Sequence, residues 1–189
     1  MTHAVRVTLF AIMTTTLVTG NLLSAEPART VLDFDAADLG VVIDHVDSTH
    51  EIITHDRGKA LKVTFGTDRP YPNANFSPKA GHWDWDHFTR VEADITNLGD
   101  TTIKLGMRID NPNANGRQNS NSGGVSIEPG DTRTLTLHFE RKFAEDLVKQ
   151  LPGMDYSPWG KRPGRGGRID ASNMVKFNFF VSHPMRTQT

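Results

Sequence analysis

The chain has 189 residues, 37 % of them hydrophobic and 23 % charged, which is enough apolar material for a packed domain and excludes wholesale disorder. Its 21 Lys and Arg balance 22 Asp and Glu for a formal net charge of −1, so no global basic excess draws it to nucleic acid or to an anionic membrane. Cysteine is absent, which removes a disulfide framework, a thiolate zinc site and a cysteine nucleophile.

Residues 1–25 read as a secretory leader. His3 and Arg6 make a weakly positive start, and Leu9, Phe10, Ile12 and Leu17 stand in an apolar stretch over 7–18. Leu22-Leu23-Ser24-Ala25 then offers a small residue at the cut, before Glu26-Pro27. The run is short and threonine-rich for a membrane span, and an uncleaved anchor or a wrongly chosen start codon stays open beside the leader. The expected mature domain is therefore 26–189, secreted or periplasmic, with no membrane attachment after cleavage.

The mature sequence is dominated by a period of two. Leu61, Val63 and Phe65 alternate with Lys62 and Thr64; Val91, Ala93 and Ile95 alternate with Glu92, Asp94 and Thr96. The same pattern recurs at Ile103, Leu105, Met107 and Ile109, at Leu135, Leu137 and Phe139, and at Phe177, Phe179 and Val181. Each is a half-buried antiparallel strand, one face to a core and one to water. Shorter strands are expected at 31–34, 51–54 and 124–127. Leu98-Gly99-Asp100 and Glu128-Pro129-Gly130-Asp131 supply turns. Seven or eight short strands predict an all-β sandwich. One short helix is expected over 143–151, where Phe143, Leu147 and Leu151 share a face and Pro152-Gly153 ends it. Two long loops, the Asn-rich 111–124 and the Gly/Pro/Arg-rich 153–167, interrupt the pattern.

No catalytic residue stands out. Asp84, Asp86, Glu92 and Asp94 are carboxylates without a defined pairing across a cleft, and no G-x-S-x-G elbow is present. Residues 111–116 imitate the opening of an EF-hand loop but begin with Asn111 and reach Ser122, where the motif needs Asp and Glu. A structural calcium on another kind of Asn-rich loop stays open beside a plain polar turn whose Asn side chains bond backbone. No cofactor is expected. His45, His50 and His55 read as ordinary surface histidines. The densest cluster is Trp83-Asp84-Trp85-Asp86-His87-Phe88. Exposed Trp rings complement the C–H faces of sugars, with nearby polar groups for the hydroxyls; the same Trp pair could instead close the end of the sandwich. Trp159, in a loop with little core around it, is a further contact candidate. Lys161, Arg162, Arg165 and Arg168 form a basic loop that suits an anionic polysaccharide, an acidic domain wall or plain solvent.

The stretch from Trp83 to Phe88, the strand Val91 to Asn97, and the run ending Met107-Arg108-Ile109-Asp110 resemble the N-terminal carbohydrate-binding-like module of bacterial β-agarases of glycoside hydrolase family 50. Gly130-Asp131-Thr132 and Asn173 to Val181 followed by His183-Pro184 extend the resemblance over most of 31–184. It implies a jelly-roll-type, galactose-binding-like sandwich that in the family precedes a catalytic (β/α)₈ barrel. The implied function is non-catalytic binding of a galactan such as agarose. The alternative is a docking module that packs on a glycoside hydrolase catalytic domain without binding sugar. No catalytic residue carries over. The family continues past the His-Pro pair with another strand, and none is read after Met185, so a missing last strand and an unpaired sheet edge are expected. The expected ligand contacts are Trp83, Trp85, Arg108, Asp110, Asn113, Asn115 and Trp159. Arg108 and Asp110 are chosen because they occupy the polar face of their strand beside the Asn-rich loop.

Overall fold

A computed structural model of the chain describes residues 3–8, 29–55, 58–139 and 168–182. The strands are β1 (His3–Thr8), β2 (Val41–Val46), β3 (Ser48–His55), β4 (Gly58–Phe65), β5 (Asn73–Pro78), β6 (Arg90–Asn97), β7 (Ile103–Asp110), β8 (Ser120–Ile127), β9 (Thr132–His138) and β10 (Lys176–Val181). They form two five-stranded sheets with orders β3-β4-β1-β6-β9 and β2-β5-β10-β7-β8, antiparallel throughout. Among the described residues there is no helix, and the fold is the all-β sandwich that the alternation predicts.

The alternation explains the core directly. Leu61, Val63, Phe65, Ala93 and Ile95 of the first sheet are buried, and so are Phe76, Leu105, Met107, Ile109, Phe177 and Phe179 of the second. Phe76 and Phe177 stack at 4.8 Å, and Phe179 meets both edge-on. Phe177 faces the core, so Asn178 on the same strand lies on the outer face.

The turns follow their chemistry. Gly130 takes φ +77, which a Pro-Gly turn needs, and the Asp131 N–H donates to the Glu128 carbonyl at 3.1 Å. Asn97 is buried and closes the neighbouring turn: its amide donates to the carbonyls of Thr101 and Ile127 and accepts from the Gly99 N–H.

Residues 31–34 are not a strand. Leu32 and Phe34 are buried, but Asp33 folds the chain into a turn, its carboxylate accepting from the Asp35 N–H and its carbonyl from the Ala36 N–H. The segments 51–54 and 124–127 are strands, and both belong to longer ones, β3 and β8. The expected helix over 143–151, the 153–167 loop, Trp159 and the basic residues Lys161, Arg162 and Arg165 lie outside the described residues. β1 falls within the segment that reads as a leader, so in the intact chain the sandwich reaches back to His3.

Candidate functional site

The outer faces of the two sheets differ in kind. On the first, Thr132, Thr134 and Thr136 pair across the strands with Thr96, Asp94 and Glu92, a ladder of short polar side chains bonded to one another. On the second, strand register aligns longer and more varied groups.

One row crosses the second sheet as Asp44, Asn75, Asn178, Arg108 and Ser122, each opposite the next. At about 4.8 Å between strands, these five positions span roughly 19 Å. The adjacent row is Val46, Asn73, Phe180, Gly106 and Gly124. The Phe180 side chain reaches across to β7, where its far edge lies over Gly106. An aromatic ring on the solvent side of a sheet, bordered by amides and a guanidinium, is an arrangement that sugar pockets share.

The polar groups are held by one another. Asn178 donates to Asn75 Oδ1 at 3.3 Å, Asn75 donates to Asn73 Oδ1 at 2.6 Å, and Asn73 donates to the Tyr71 carbonyl at 2.9 Å. This relay runs one way and leaves Asn178 Oδ1, at its head, without a hydrogen-bond partner although Asn178 is buried. Ser120 Oγ, in the next row beside Asp110, is likewise buried and unpaired.

Asp110 is 1 % exposed and binds two cations: Arg108 through Nε at 2.8 Å and Nη2 at 2.9 Å, and Lys176 through Nζ at 3.1 Å. The carboxylate is therefore a support that fixes Arg108, which stays partly exposed. The loop 111–119 closes beside them. Asn111 N–H donates to Asn119, Asn115 Oδ1 accepts from the N–H groups of Arg117 and Gln118, and Gly116 lies against the Arg108 guanidinium. Asn113 and Asn115 are exposed on this loop, Asn113 with φ +62. Asn111 is buried; its amide donates to the carbonyls of Asp170 and Asn173, fixing the approach to β10.

Of the residues singled out from sequence, the structure brings Arg108 and Asp110 into direct contact and sets the Asn113–Asn115 loop against them. The Trp pair lies elsewhere. Trp85 is 4 % exposed, its ring stacked between Trp83 at 5.4 Å and Phe139 at 5.8 Å, so it is core and offers no plate to a sugar. Trp83 is half-buried, tilted against Phe177 and tied by backbone bonds to Met174. Together they close the end of the sandwich. Sequence reasoning missed Phe180, Asn178, Asn75, Asn73 and Lys176. An aromatic at a water-facing strand position was the available signal.

His45 and His50 are not independent surface residues. His45 Nε2 lies 2.6 Å from His50 Nδ1, the rings stacked at 4.8 Å, and His45 Nδ1 lies 2.9 Å from Ser48 Oγ. Burial, with the neighbouring His50 as a smaller cause, holds His45 below the usual imidazole pKa. Among the described residues, no group of three or more His, Asp or Glu is arranged to hold a metal ion.

No family model matches the chain. Beta-agarase B of Vibrio sp. (strain JT0107) is 27 % identical over 173 residues, which cover 85 % of this chain and 16 % of that protein. An exo-β-agarase structure superposes with a TM-score of 0.55 at 18 % identity, over 82 % of this chain and 23 % of that one. The family 11 carbohydrate-binding module of a cellulosomal cellulase of Clostridium thermocellum superposes with a TM-score of 0.50 at 18 % identity, over 82 % of this chain and 85 % of that one. The chain thus spans only 16 % of the curated relative it matches. What it shares with these proteins is the β-sandwich fold, which takes up 23 % of the exo-β-agarase and 85 % of the family 11 module.

Proposed function

We propose that the chain is a polysaccharide-binding module that holds a galactan, agarose or a close relative, on the outer face of its second sheet. The observation that carries this reading is Phe180, an aromatic ring on a water-facing strand position, seated over Gly106 beside Asn178 and Arg108. The ring takes the apolar face of a sugar; Asn75 and Arg108 bond its hydroxyls, and the buried Asn178 holds Asn75 in place from beneath. The preference for a galactan is supported by the similarity to a β-agarase, and residues 1–25 are read as the leader that exports the module. Its partner is then the polysaccharide, with a glycoside hydrolase catalytic domain acting nearby.

Affinity electrophoresis of the full chain and of Phe180→Ala, in native gels with agarose, porphyran or carrageenan, tests the reading. Retardation of the parent by one galactan, and its loss in Phe180→Ala, is the expected result. Equal mobility of parent and variant in every gel overturns it.

A further inference from the structure

One carboxylate on the outer face of the second sheet is shared by two cations. Asp110 is buried beneath Arg108 and Lys176, whose side chains stay 27 % and 33 % exposed. The other ion pairs among the described residues match one to one: Lys62 with Glu51, Lys79 with Asp38, Arg90 with Glu92 and Arg133 with Asp131. A single carboxylate cancels only one of its two cations, so the Arg108–Lys176 pair leaves a positive charge at the surface. At the outward positions of the five strands the other acid is Asp44, three strands from Arg108 along their row. That is roughly 14 Å, beyond the screening length of about 8 Å at physiological ionic strength.

The donors left over make a fork and a point. Asp110 takes Nε and Nη2 of Arg108. The opposite edge of the guanidinium, Nη1 with the second N–H of Nη2, carries no bond to the described residues and suits two oxygens of one oxyanion. The Lys176 ammonium gives one contact to Asp110 and keeps further N–H groups beside that fork. Phe180 stands one row from Arg108, about 7 Å along the strands. An anion on the fork is therefore a substituent of the sugar stacked on Phe180, or of its neighbour in the polymer.

We infer that this face selects galactans bearing sulfate esters over neutral ones, with Arg108 and Lys176 taking the sulfate while Phe180 takes the ring. This rests on the reading of the face as the galactan site and narrows its ligand. A sulfate ester stays ionised across the working pH range, and its free oxygens serve both the fork and the ammonium. A neutral galactan meets the same groups with hydroxyls only, and those bonds are weaker than charge-assisted ones.

Affinity electrophoresis of the full chain tests this in native gels holding porphyran, the same porphyran after solvolytic desulfation, or dextran sulfate, with a circular dichroism melt of each variant. The expected result is retention by porphyran about tenfold stronger than by its desulfated form, and little retention by dextran sulfate. Lys176→Gln should bring the ratio of the two porphyrans close to one, and Lys176→Arg should keep it. Added salt, which needs no variant, should also erase the preference. Equal retention by both porphyrans, lost from both in Phe180→Ala, overturns the inference and leaves the galactan reading standing. Retention by neither overturns both. A preference that survives in Lys176→Gln or in high salt overturns the inference, and so does equal retention by dextran sulfate, which would reduce it to adhesion by charge alone.

Discussion

A Cβ built on Gly106 would stand 2.2 Å from Cζ of Phe180 and 2.6 Å from each Cε atom. The ring therefore occupies the space a side chain at Gly106 would need. Since the clash is with the far end of a rotatable side chain, Gly106→Ala should move the ring and leave the strand pairing intact. The expected outcome is a melting temperature within a few degrees of the parent and a roughly tenfold weaker retention by the galactan, or about 1.4 kcal/mol. Affinity electrophoresis beside a circular dichroism melt separates the two effects. Undiminished retention would remove Phe180 from the site.

Two buried asparagines should respond oppositely to truncation. Asn97 makes three hydrogen bonds of 2.8–3.0 Å to Thr101, Ile127 and Gly99, so Asn97→Ala should cost about 2–3 kcal/mol of stability. Asn178 makes one long bond of 3.3 Å and buries an unpaired acceptor. Asn178→Ala should change stability by less than about 1 kcal/mol, because removing an unsatisfied group offsets the lost bond. It should still weaken galactan retention. Urea melts of both variants check the contrast, and a large loss of stability in Asn178→Ala would mean that the residue serves packing.

What could be read from the sequence follows the strength of the alternation. β4, β6, β7, β9 and β10 carry apolar residues at every second position, and each is where the pattern places it. β5 was not legible: Asn73, Asn75, Ser77 and Pro78 leave only two apolar positions, Ala74 and Phe76, to mark the strand, and these face the core. Losing β5 from the reading hid Asn75, which gains meaning only opposite Asn178. Arg108 and Asp110 were legible because their strand was. Trp85 drew attention by its type, but its surroundings, Trp83 and Phe139, bury it. Phe180 was hidden by the same alternation that located its strand, because it was counted with the solvent-facing positions.

Asp110 should be a support more than a contact. Its carboxylate, 1 % exposed, holds Arg108 and Lys176 together on the face. Asp110→Asn leaves two cations side by side with no counter-charge and should lower stability by about 1–3 kcal/mol. Arg108→Lys keeps the charge but loses the paired bonds to Asp110, so it should weaken galactan retention with a smaller effect on stability. Urea melts and affinity gels on both variants give the comparison. Equal stability of Asp110→Asn and parent would show that the pair of cations is held by solvent alone.

The His45–His50 pair joins β2 of the second sheet to β3 of the first and should make the sandwich sensitive to mild acid. At 2.6 Å, one ring must donate and the other accept, so protonating both sets N–H against N–H. His45 is held below the ordinary value of 6.5 by burial and by His50, with Asp44 acting in the opposite direction. The unfolded chain therefore takes up a proton near pH 6.5 that folded His45 still refuses. Between the lowered value and 6.5 the unfolded state binds more protons, so stability rises with pH across that window and is fully present above it. Melting temperatures taken from about pH 7.5 down to pH 5 should fall as the pH passes below 6.5. His45→Gln should flatten this fall while leaving the melt near pH 7.5 little changed. A fall of the same steepness in His45→Gln would assign the acid sensitivity to other groups.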